Sequence, residues 1–221
     1  MKRKDKTAII LGATGLTGGL LLDRLLHDER YEKIKLFSRS SVKISNPKIE
    51  EHLIDLLKLE EHKANFTADE VFCCIGTTKK KTPDNEIYKK IDYGIPVAAA
   101  KVAKSNGVNT FIVISALGAS AKSTVFYNKV KGEMEDAVLE QKFPKVFILQ
   151  PSLIGGERLE KRTGEWIFKK VMKVVDLVLV GSLKKYRTIA PETIAEAMIW
   201  LANNEYAQTK IESDKIKALG Q

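Results

Sequence analysis

Tyr127 and Lys131 are four residues apart in the stretch Tyr127-Asn128-Lys129-Val130-Lys131. In a helix this spacing puts both side chains on one face. A lysine charge beside a phenol lowers the phenol pKa, which lets a tyrosine act as proton donor and acceptor. Ser115 precedes Tyr127 and ends an apolar run, so its hydroxyl is expected at the same substrate carbonyl. We therefore predict that Ser115, Tyr127 and Lys131 form a catalytic group.

A glycine motif, Gly12-Ala13-Thr14-Gly15-Leu16-Thr17-Gly18, lies between the first apolar run and a helical pattern. Glycines permit a tight turn and a close approach of the backbone to a pyrophosphate, and the helix N-terminus offers free N–H groups and partial positive charge. The spacing differs from the common G-x-G-x-x-G fingerprint, but its place after a buried strand favours a dinucleotide site over an ordinary turn. The predicted cofactor contacts in this loop are Gly12, Thr14, Gly15, Leu16, Thr17 and Gly18.

The stretch Leu36-Phe37-Ser38-Arg39-Ser40 ends the second predicted strand. An NAD site usually has a carboxylate near this point to hold the ribose hydroxyls, and this stretch has none. Arg39 can instead pair with a 2′-phosphate, with Ser38 as an additional donor. The sequence therefore favours NADP (NADPH), although a surface arginine in a loop is the alternative.

Two further strand ends carry polar groups. Asp55, followed by Leu56, can accept a hydrogen bond from an adenine amino group while the leucine lies against the ring, or it can cap the next helix. Gly76 lets a cofactor cross the sheet edge, and the hydroxyls of Thr77 and Thr78 can reach its ribose or phosphates. We count all five residues as predicted cofactor contacts, together with Tyr127 and Lys131 of the catalytic group.

The elements that must position these residues alternate between strand and helix up to about residue 151, which predicts an α/β fold: a doubly wound parallel sheet of the Rossmann type. The predicted strands cover residues 7–11, 33–37, 49–54, 71–75, 110–115 and 146–150. The predicted helices cover residues 16–27, 86–105 with a break near Gly94 and Pro96, 125–141, 164–180 and 192–203. Residues 1–221 are expected to form a single domain in which the chain after about residue 152 adds a small C-terminal substrate-side lobe.

Composition limits the classes of partner and location. The 221 residues are 44% hydrophobic and carry a formal charge of +9, which suits an anionic ligand. No basic stripe with interleaved aromatic residues indicates nucleic-acid binding. The two cysteines, Cys73 and Cys74, are adjacent in an apolar run and are interpreted as core residues, and no metal-ligand spacing occurs. Neither a signal peptide nor a membrane span is expected, so we predict a cytoplasmic protein.

The chain resembles the short-chain dehydrogenase/reductase superfamily, most closely its small atypical members related to the Tat-interactive protein oxidoreductase. The stretches that carry the resemblance are GATGLTGGLLL, LFSR, VFCCIGTT, IDYGIPVAAA, YNKVKGEMED, LQPSLIGGERLEKRTGEW and IESDKIKAL. The resemblance implies an NADP-bound Rossmann fold with Ser115, Tyr127 and Lys131 in the superfamily's serine, tyrosine and lysine roles. Many members add a catalytic asparagine, and the corresponding stretch here reads Asp92-Tyr93-Gly94, so that fourth role is unassigned.

The function predicted from these residues is hydride transfer between NADPH and a small-molecule carbonyl or alcohol substrate. One alternative is an NADP-binding redox or nucleotide sensor that acts through a protein partner. Another is a sugar-nucleotide epimerase-like isomerase, because the same three residues serve both chemistries. A protein partner and a homodimer both stay open.

Overall fold

The computed structural model of the chain describes residues 5–155, 179 and 181–221. The strands are β1 (Lys6–Leu11), β2 (Tyr31–Ser38), β3 (Ile49–Leu53), β4 (Glu70–Cys73), β5 (Thr110–Ile114), β6 (Lys145–Gln150) and β7 (Lys210–Glu212). The α-helices are α1 (Leu16–His27), α2 (Asn85–Lys89), α3 (Ile95–Ser105), α4 (Phe126–Leu139), α5 (Pro191–Asn203) and α6 (Ser213–Leu219). A π-helical turn, Lys90–Gly94, joins α2 to α3, and 3₁₀ segments cover Leu56–Asn65 and Gly181–Tyr186.

The seven strands form one sheet in the order β3-β2-β1-β4-β5-β6-β7, and every neighbouring pair is parallel. The predicted doubly wound sheet is therefore confirmed. The chain moves outward from β1 to β3 on one side and then returns to β4 on the other side of β1. In open parallel sheets, ligands bind in the crevice at the carboxyl ends of the strands where the order reverses. Here that crevice lies outside β1 and β4.

Residues that alternate along each strand face two separate helical layers. Ala8 and Ile10 of β1 lie in the core shared with α1 and α5, whereas Ile9 and Leu11 lie in the core shared with α3 and α4. All four side chains are fully buried. Burying an aliphatic side chain of this size stabilises a fold by about 1.5–3 kcal/mol, so both layers hold the sheet rigidly beneath the crevice.

The helix predicted over residues 86–105 runs continuously through α2, the π turn and α3, so the predicted break near Gly94 and Pro96 is wrong: a π turn accommodates the irregularity there. The tail adds a strand and a helix, β7 and α6, and residues 191–219 complete the main sheet and one of its helical layers. The helix predicted over residues 164–180 and most of the predicted lobe lie outside the described residues. The lobe therefore stays a prediction.

Candidate functional site

The glycine loop after β1 is packed too tightly for any other residue at two positions. Gly12 has φ +88°, and a Cβ there would lie 2.8 Å from the carbonyl oxygen of Cys74 at the end of β4. A Cβ at Gly18 would lie 2.2 Å from the carbonyl oxygen of Gly12. The loop therefore touches both the neighbouring strand end and the start of α1, at the point where the strand order reverses.

The N-terminus of α1 is open to a ligand. Gly15 precedes the helix in an extended conformation and has no side chain to cap it, while its own N–H donates to the Gly12 carbonyl at 2.9 Å. The N–H groups of Leu16, Thr17 and Gly18 have no acceptor one turn earlier within the helix, and this end carries the positive pole of the helix dipole. Thr14 is exposed beside them. These groups fit the pyrophosphate of a dinucleotide.

Ser38 and Arg39 follow β2 on the same edge of the sheet. The Ser38 hydroxyl is buried and donates to the carbonyl oxygen of Ser40 at 2.8 Å. Arg39 is exposed, and within the described part of the chain its guanidinium has neither a hydrogen-bond nor an ion-pair partner. A free guanidinium at this edge fits an anionic group on a cofactor.

Asp55 caps the 3₁₀ segment, as the alternative interpretation predicted. One of its carboxylate oxygens, Oδ1, accepts a hydrogen bond from the N–H of Leu57 at 3.0 Å. Leu56 is 5% exposed and belongs to the core beneath, so little of its surface is left for an adenine ring. The adenine contacts of both residues stay predictions.

The loop after β4 meets a buried ion pair. Lys131 Nζ lies 3.0 Å from Asp92 Oδ1, and both side chains are almost fully buried. The other oxygen of Asp92, Oδ2, accepts a hydrogen bond from the N–H of Thr77 at 2.8 Å. A Cβ at the exposed Gly76 would lie 3.6 Å from Asp92 Oδ1 and 3.8 Å from Lys131 Nζ. Thr78 is also exposed in this loop, so the loop offers two of its three predicted contacts at the surface.

Tyr127 lies in the first turn of α4, and 40% of its surface is exposed. Desolvation by the surrounding protein raises the pKa of its phenol, Lys131 lowers that pKa, and Asp92 raises it again. The net pKa is above the ordinary value of 10. The expected influence of Lys131 is present, but the expectation that it leaves a lowered pKa is wrong, because burial and the Asp92 carboxylate outweigh it.

Ser115 follows β5 as predicted, but its hydroxyl is turned toward a different group. It is buried and donates to Glu135 Oε1 at 2.5 Å. Gln150 Nε2 donates to the same oxygen at 2.8 Å, and Lys210 Nζ lies 2.8 Å from Glu135 Oε2. The structure thus brings Tyr127 and Lys131 together with Asp92. Ser115 belongs instead to a second buried network, with Glu135 and Gln150.

Asp92 and Glu135 are the site residues that sequence reasoning did not assign. The replacement of the expected asparagine by Asp92 was a usable signal, whereas Glu135 had none. Cys73 and Cys74 behave as core residues, since burial raises the pKa of the Cys73 thiol to about 11 and raises that of Cys74 as well. Among the described residues, no group of three or more His, Cys, Asp and Glu side chains has the geometry to hold a metal ion.

Comparisons with known proteins identify the family to which the chain belongs. The model of a family described as NAD(P)H-binding matches residues 12–152. The chain is 32% identical to protein HTATIP2 of Rattus norvegicus over 173 residues, which cover 76% of this chain and 71% of that protein. It is 34% identical to FMP52, mitochondrial, of Meyerozyma guilliermondii over 219 residues, which cover 93% and 89%. The resemblance to the proteins related to the Tat-interactive protein is therefore confirmed.

Solved structures show the same fold at low identity. The Bordetella bronchiseptica enzyme WbmG in complex with NAD gives a TM-score of 0.69 at 13% identity over 98% of this chain and 76% of that chain. Helicobacter pylori ADP-L-glycero-D-manno-heptose-6-epimerase gives 0.69 at 14% over 95% and 77%. Within the described ranges, no helix has the length and apolar character to cross a bilayer. Since FMP52 relatives are named mitochondrial, the cytoplasmic location stays a prediction.

Proposed function

Because the chain belongs to the family of NAD(P)H-binding proteins, we propose that it is an NADP-dependent oxidoreductase that interconverts a carbonyl compound and an alcohol. The observation that carries this proposal is a partly exposed tyrosine, Tyr127, four residues before a buried lysine whose ammonium lies beside Gly76. This is an acid/base group at the edge of the sheet where such folds bind their ligands.

The residues of the site have separate proposed roles in cofactor binding and proton transfer. The N–H groups at the start of α1 would hold the cofactor's pyrophosphate. A bound nicotinamide supplies or takes up the hydride. Tyr127 gives its phenolic proton to the carbonyl oxygen during reduction and takes a proton from the alcohol during oxidation. Lys131, paired with Asp92 and beside Gly76, would orient Tyr127 and contact the bound cofactor.

The role of Ser115 depends on a rearrangement. A hydroxyl has one proton, and that proton is directed to Glu135 Oε1. For Ser115 to hold the substrate oxygen, its hydroxyl must rotate away from the carboxylate when substrate binds. We keep Ser115 in the proposed group on this condition.

The preference for NADP rests on Arg39 and on the absence of a carboxylate at the end of β2. A guanidinium without a partner in the described structure pairs well with a 2′-phosphate and gains nothing comparable from a ribose hydroxyl. NADPH is therefore expected to bind more tightly than NADH.

The test begins with calorimetric titration of the purified protein with NADPH and with NADH. A panel of aldehydes, ketones and quinones is then screened for oxidation of NADPH by its near-ultraviolet absorbance. Binding of NADPH followed by turnover of a panel member supports the proposal. Failure to bind either dinucleotide would refute it. Tight binding of NADPH without turnover would favour the sensor alternative.

A further inference from the structure

Asp92 occupies an unusual position for a carboxylate. It lies in the π turn between α2 and α3 and is fully buried, and of its two oxygens one is in an ion pair and the other accepts a hydrogen bond. Oδ1 meets the ammonium of Lys131 at 3.0 Å, and Oδ2 accepts the N–H of Thr77 at 2.8 Å. The carboxylate thus connects α4 to the loop after β4 and places a carboxylate directly against the Lys131 ammonium.

A paired lysine acts on a neighbouring phenol differently from an unpaired one. An unpaired buried ammonium stabilises the phenolate and so lowers the pKa of the phenol. An ion pair has little net charge, so it changes that pKa much less. Both members of the pair act on Tyr127 and in opposite senses, since Lys131 lowers the pKa of the phenol and Asp92 raises it. The carboxylate therefore offsets the lysine at the atom where the proton is held.

The other ionisable groups on the packed elements do not take over this role. Tyr88 donates its hydroxyl to the Thr77 carbonyl at 3.4 Å, and Cys73 lies beneath the pair with a raised thiol pKa. Lys79 is exposed, with its ammonium 5.5 Å from the centre of the Tyr88 ring. Lys89 pairs with Glu133 at 2.8 Å between α2 and α4. Within the described structure, Lys131 and Asp92 are the charges that act on the Tyr127 phenol.

We propose, on the basis of the function proposed above, that Asp92 is a positioning residue that neutralises Lys131, so that Tyr127 waits as a protonated phenol and the site favours carbonyl reduction. In that step the carbonyl carbon takes a hydride with its electron pair from NADPH, leaving NADP⁺. The π electrons of the C=O bond move to oxygen, and the oxygen takes the Tyr127 proton. The phenolate regains a proton from water, which its exposed position permits.

The experiment compares Asp92→Asn with the wild-type protein in the absence of cofactor. Asparagine keeps the shape and the acceptor for the Thr77 N–H but removes the charge. The phenolate absorbance of each protein, minus that of its Tyr127→Phe counterpart, isolates the titration of Tyr127. We expect the acid dissociation constant of Tyr127 to rise about tenfold or more in Asp92→Asn. An unchanged titration in the folded variant would overturn the proposal.

A second variant covers the case in which Asp92→Asn does not fold because Lys131 is left buried without a counter-charge. Asp92→Asn combined with Lys131→Met removes both charges. If the pair is neutral in effect, the Tyr127 acid dissociation constant stays within about threefold of the wild-type value. If Asp92 is only structural, the loss of the lysine charge lowers that constant about tenfold, which contradicts the proposal.

These titrations need neither cofactor nor substrate, so their outcome is independent of whether the enzyme proposal stands. Should a carbonyl substrate be found, the rate of reduction is expected to fall as pH rises through the Tyr127 pKa. In Asp92→Asn this alkaline fall should move to lower pH. A fall at the same pH in both proteins would count against the assigned role of Asp92.

Discussion

Two clusters that each combine a lysine, a carboxylate and a tyrosine lie at opposite ends of the strands, one at the amino edge of the sheet and the other at its carboxyl edge. Each has a lysine–carboxylate pair next to a tyrosine. The amino-edge cluster consists of Lys6, Tyr31, Glu70 and Asn203, and the carboxyl-edge cluster consists of Asp92, Tyr127 and Lys131. Their surroundings differ, and that difference decides what each can do.

The amino-edge cluster is closed. Tyr31 is 1% exposed, donates to Glu70 Oε2 at 2.6 Å and accepts from Asn203 Nδ2 at 2.9 Å. Lys6 pairs with Glu70 and donates to Asn203 Oδ1 at 2.9 Å. Desolvation raises the pKa of Tyr31 far above its ordinary value, so its proton does not leave. These groups link β1, β2, β4 and α5, and their contribution is to stability.

The carboxyl-edge cluster is open at its tyrosine. Tyr127 is 40% exposed, and among the described residues its hydroxyl has no hydrogen-bond partner. Its lysine and carboxylate are more deeply buried than those at the other edge. A lysine, a carboxylate and a tyrosine therefore stabilise the fold where the tyrosine hydroxyl is bonded, and they are available for proton transfer where that hydroxyl has no partner.

The sharpest test of this comparison replaces the two tyrosines by phenylalanine. Tyr127→Phe should lower turnover by about 10²–10⁴ while leaving the free energy of unfolding and NADPH binding unchanged, because only an acid/base hydroxyl is lost. Tyr31→Phe should leave turnover of the folded protein unchanged and lower the free energy of unfolding by about 1–3 kcal/mol, since two buried groups lose a partner. Steady-state kinetics and urea unfolding measure both. Equal turnover by Tyr127→Phe and wild type would show that Tyr127 is not the acid.

Glu70→Ala tests the closed cluster more severely. It removes the counter-charge of Lys6 and the acceptor of Tyr31 together, and breaking one side of a buried pair costs about 3 kcal/mol or more. We expect a loss of that size in urea unfolding at neutral pH. NADPH affinity of the folded protein should be unaffected, and a parallel loss of affinity would mean that the two edges are not independent.

Arg39→Ala tests cofactor binding at the carboxyl edge rather than proton transfer. Loss of a charge-assisted pair with a 2′-phosphate should weaken NADPH binding by about ten- to a hundredfold, or about 1.5–3 kcal/mol, without changing NADH binding. Lys33→Ala is the matched control, because it removes one positive charge from the other end of the same strand, where the side chain is half-exposed. An equal effect of both variants would point to general attraction by the basic surface.

The pH dependence of stability should show the smallest effect. Burial raises the pKa of Glu70 above its ordinary value of 4.5, so the folded protein holds this proton more tightly than the unfolded chain does. The part of the stability that comes from binding this proton is therefore greatest below pH 4.5 and is lost as pH rises through the raised pKa, whereas the contacts of Glu70 with Lys6 and Tyr31 are a separate contribution. Urea unfolding of Glu70→Gln across this window should lack that decline. An identical slope in both proteins would contradict the sign.

The parts of the fold that could be predicted from the sequence are those whose signals lie within a few neighbouring residues. The strand Lys6–Leu11 and the glycine loop after it have local signals, because apolar runs and glycine spacing depend only on neighbouring residues. The three-residue strand β7 has too few residues for such a pattern, and its pairing with β6 had to come from the structure.

The site was predicted less completely for the same physical reason. Tyr127 and Lys131 are neighbours on one helix, so spacing alone joins them. Asp92 reaches Lys131, and Glu135 captures the Ser115 hydroxyl, only because the sheet brings separate elements together. The pKa of a buried group depends on those distant partners, which is why the direction at Tyr127 could not be predicted from the lysine alone.

The π turn at Lys90–Gly94 has a consequence for how this chain tolerates changes in length. A π turn is an α-helix with one additional residue, and each residue turns an α-helix by about 100°. Deleting one residue there would restore regular α-helical geometry and rotate the helix on one side of the turn relative to the other. Either Asp92 would then turn away from Lys131, or the apolar face of α3 would turn away from the sheet. A protein that keeps both the Asp92–Lys131 pair and the apolar face of α3 must therefore keep the number of residues in this segment, whichever residues occupy it.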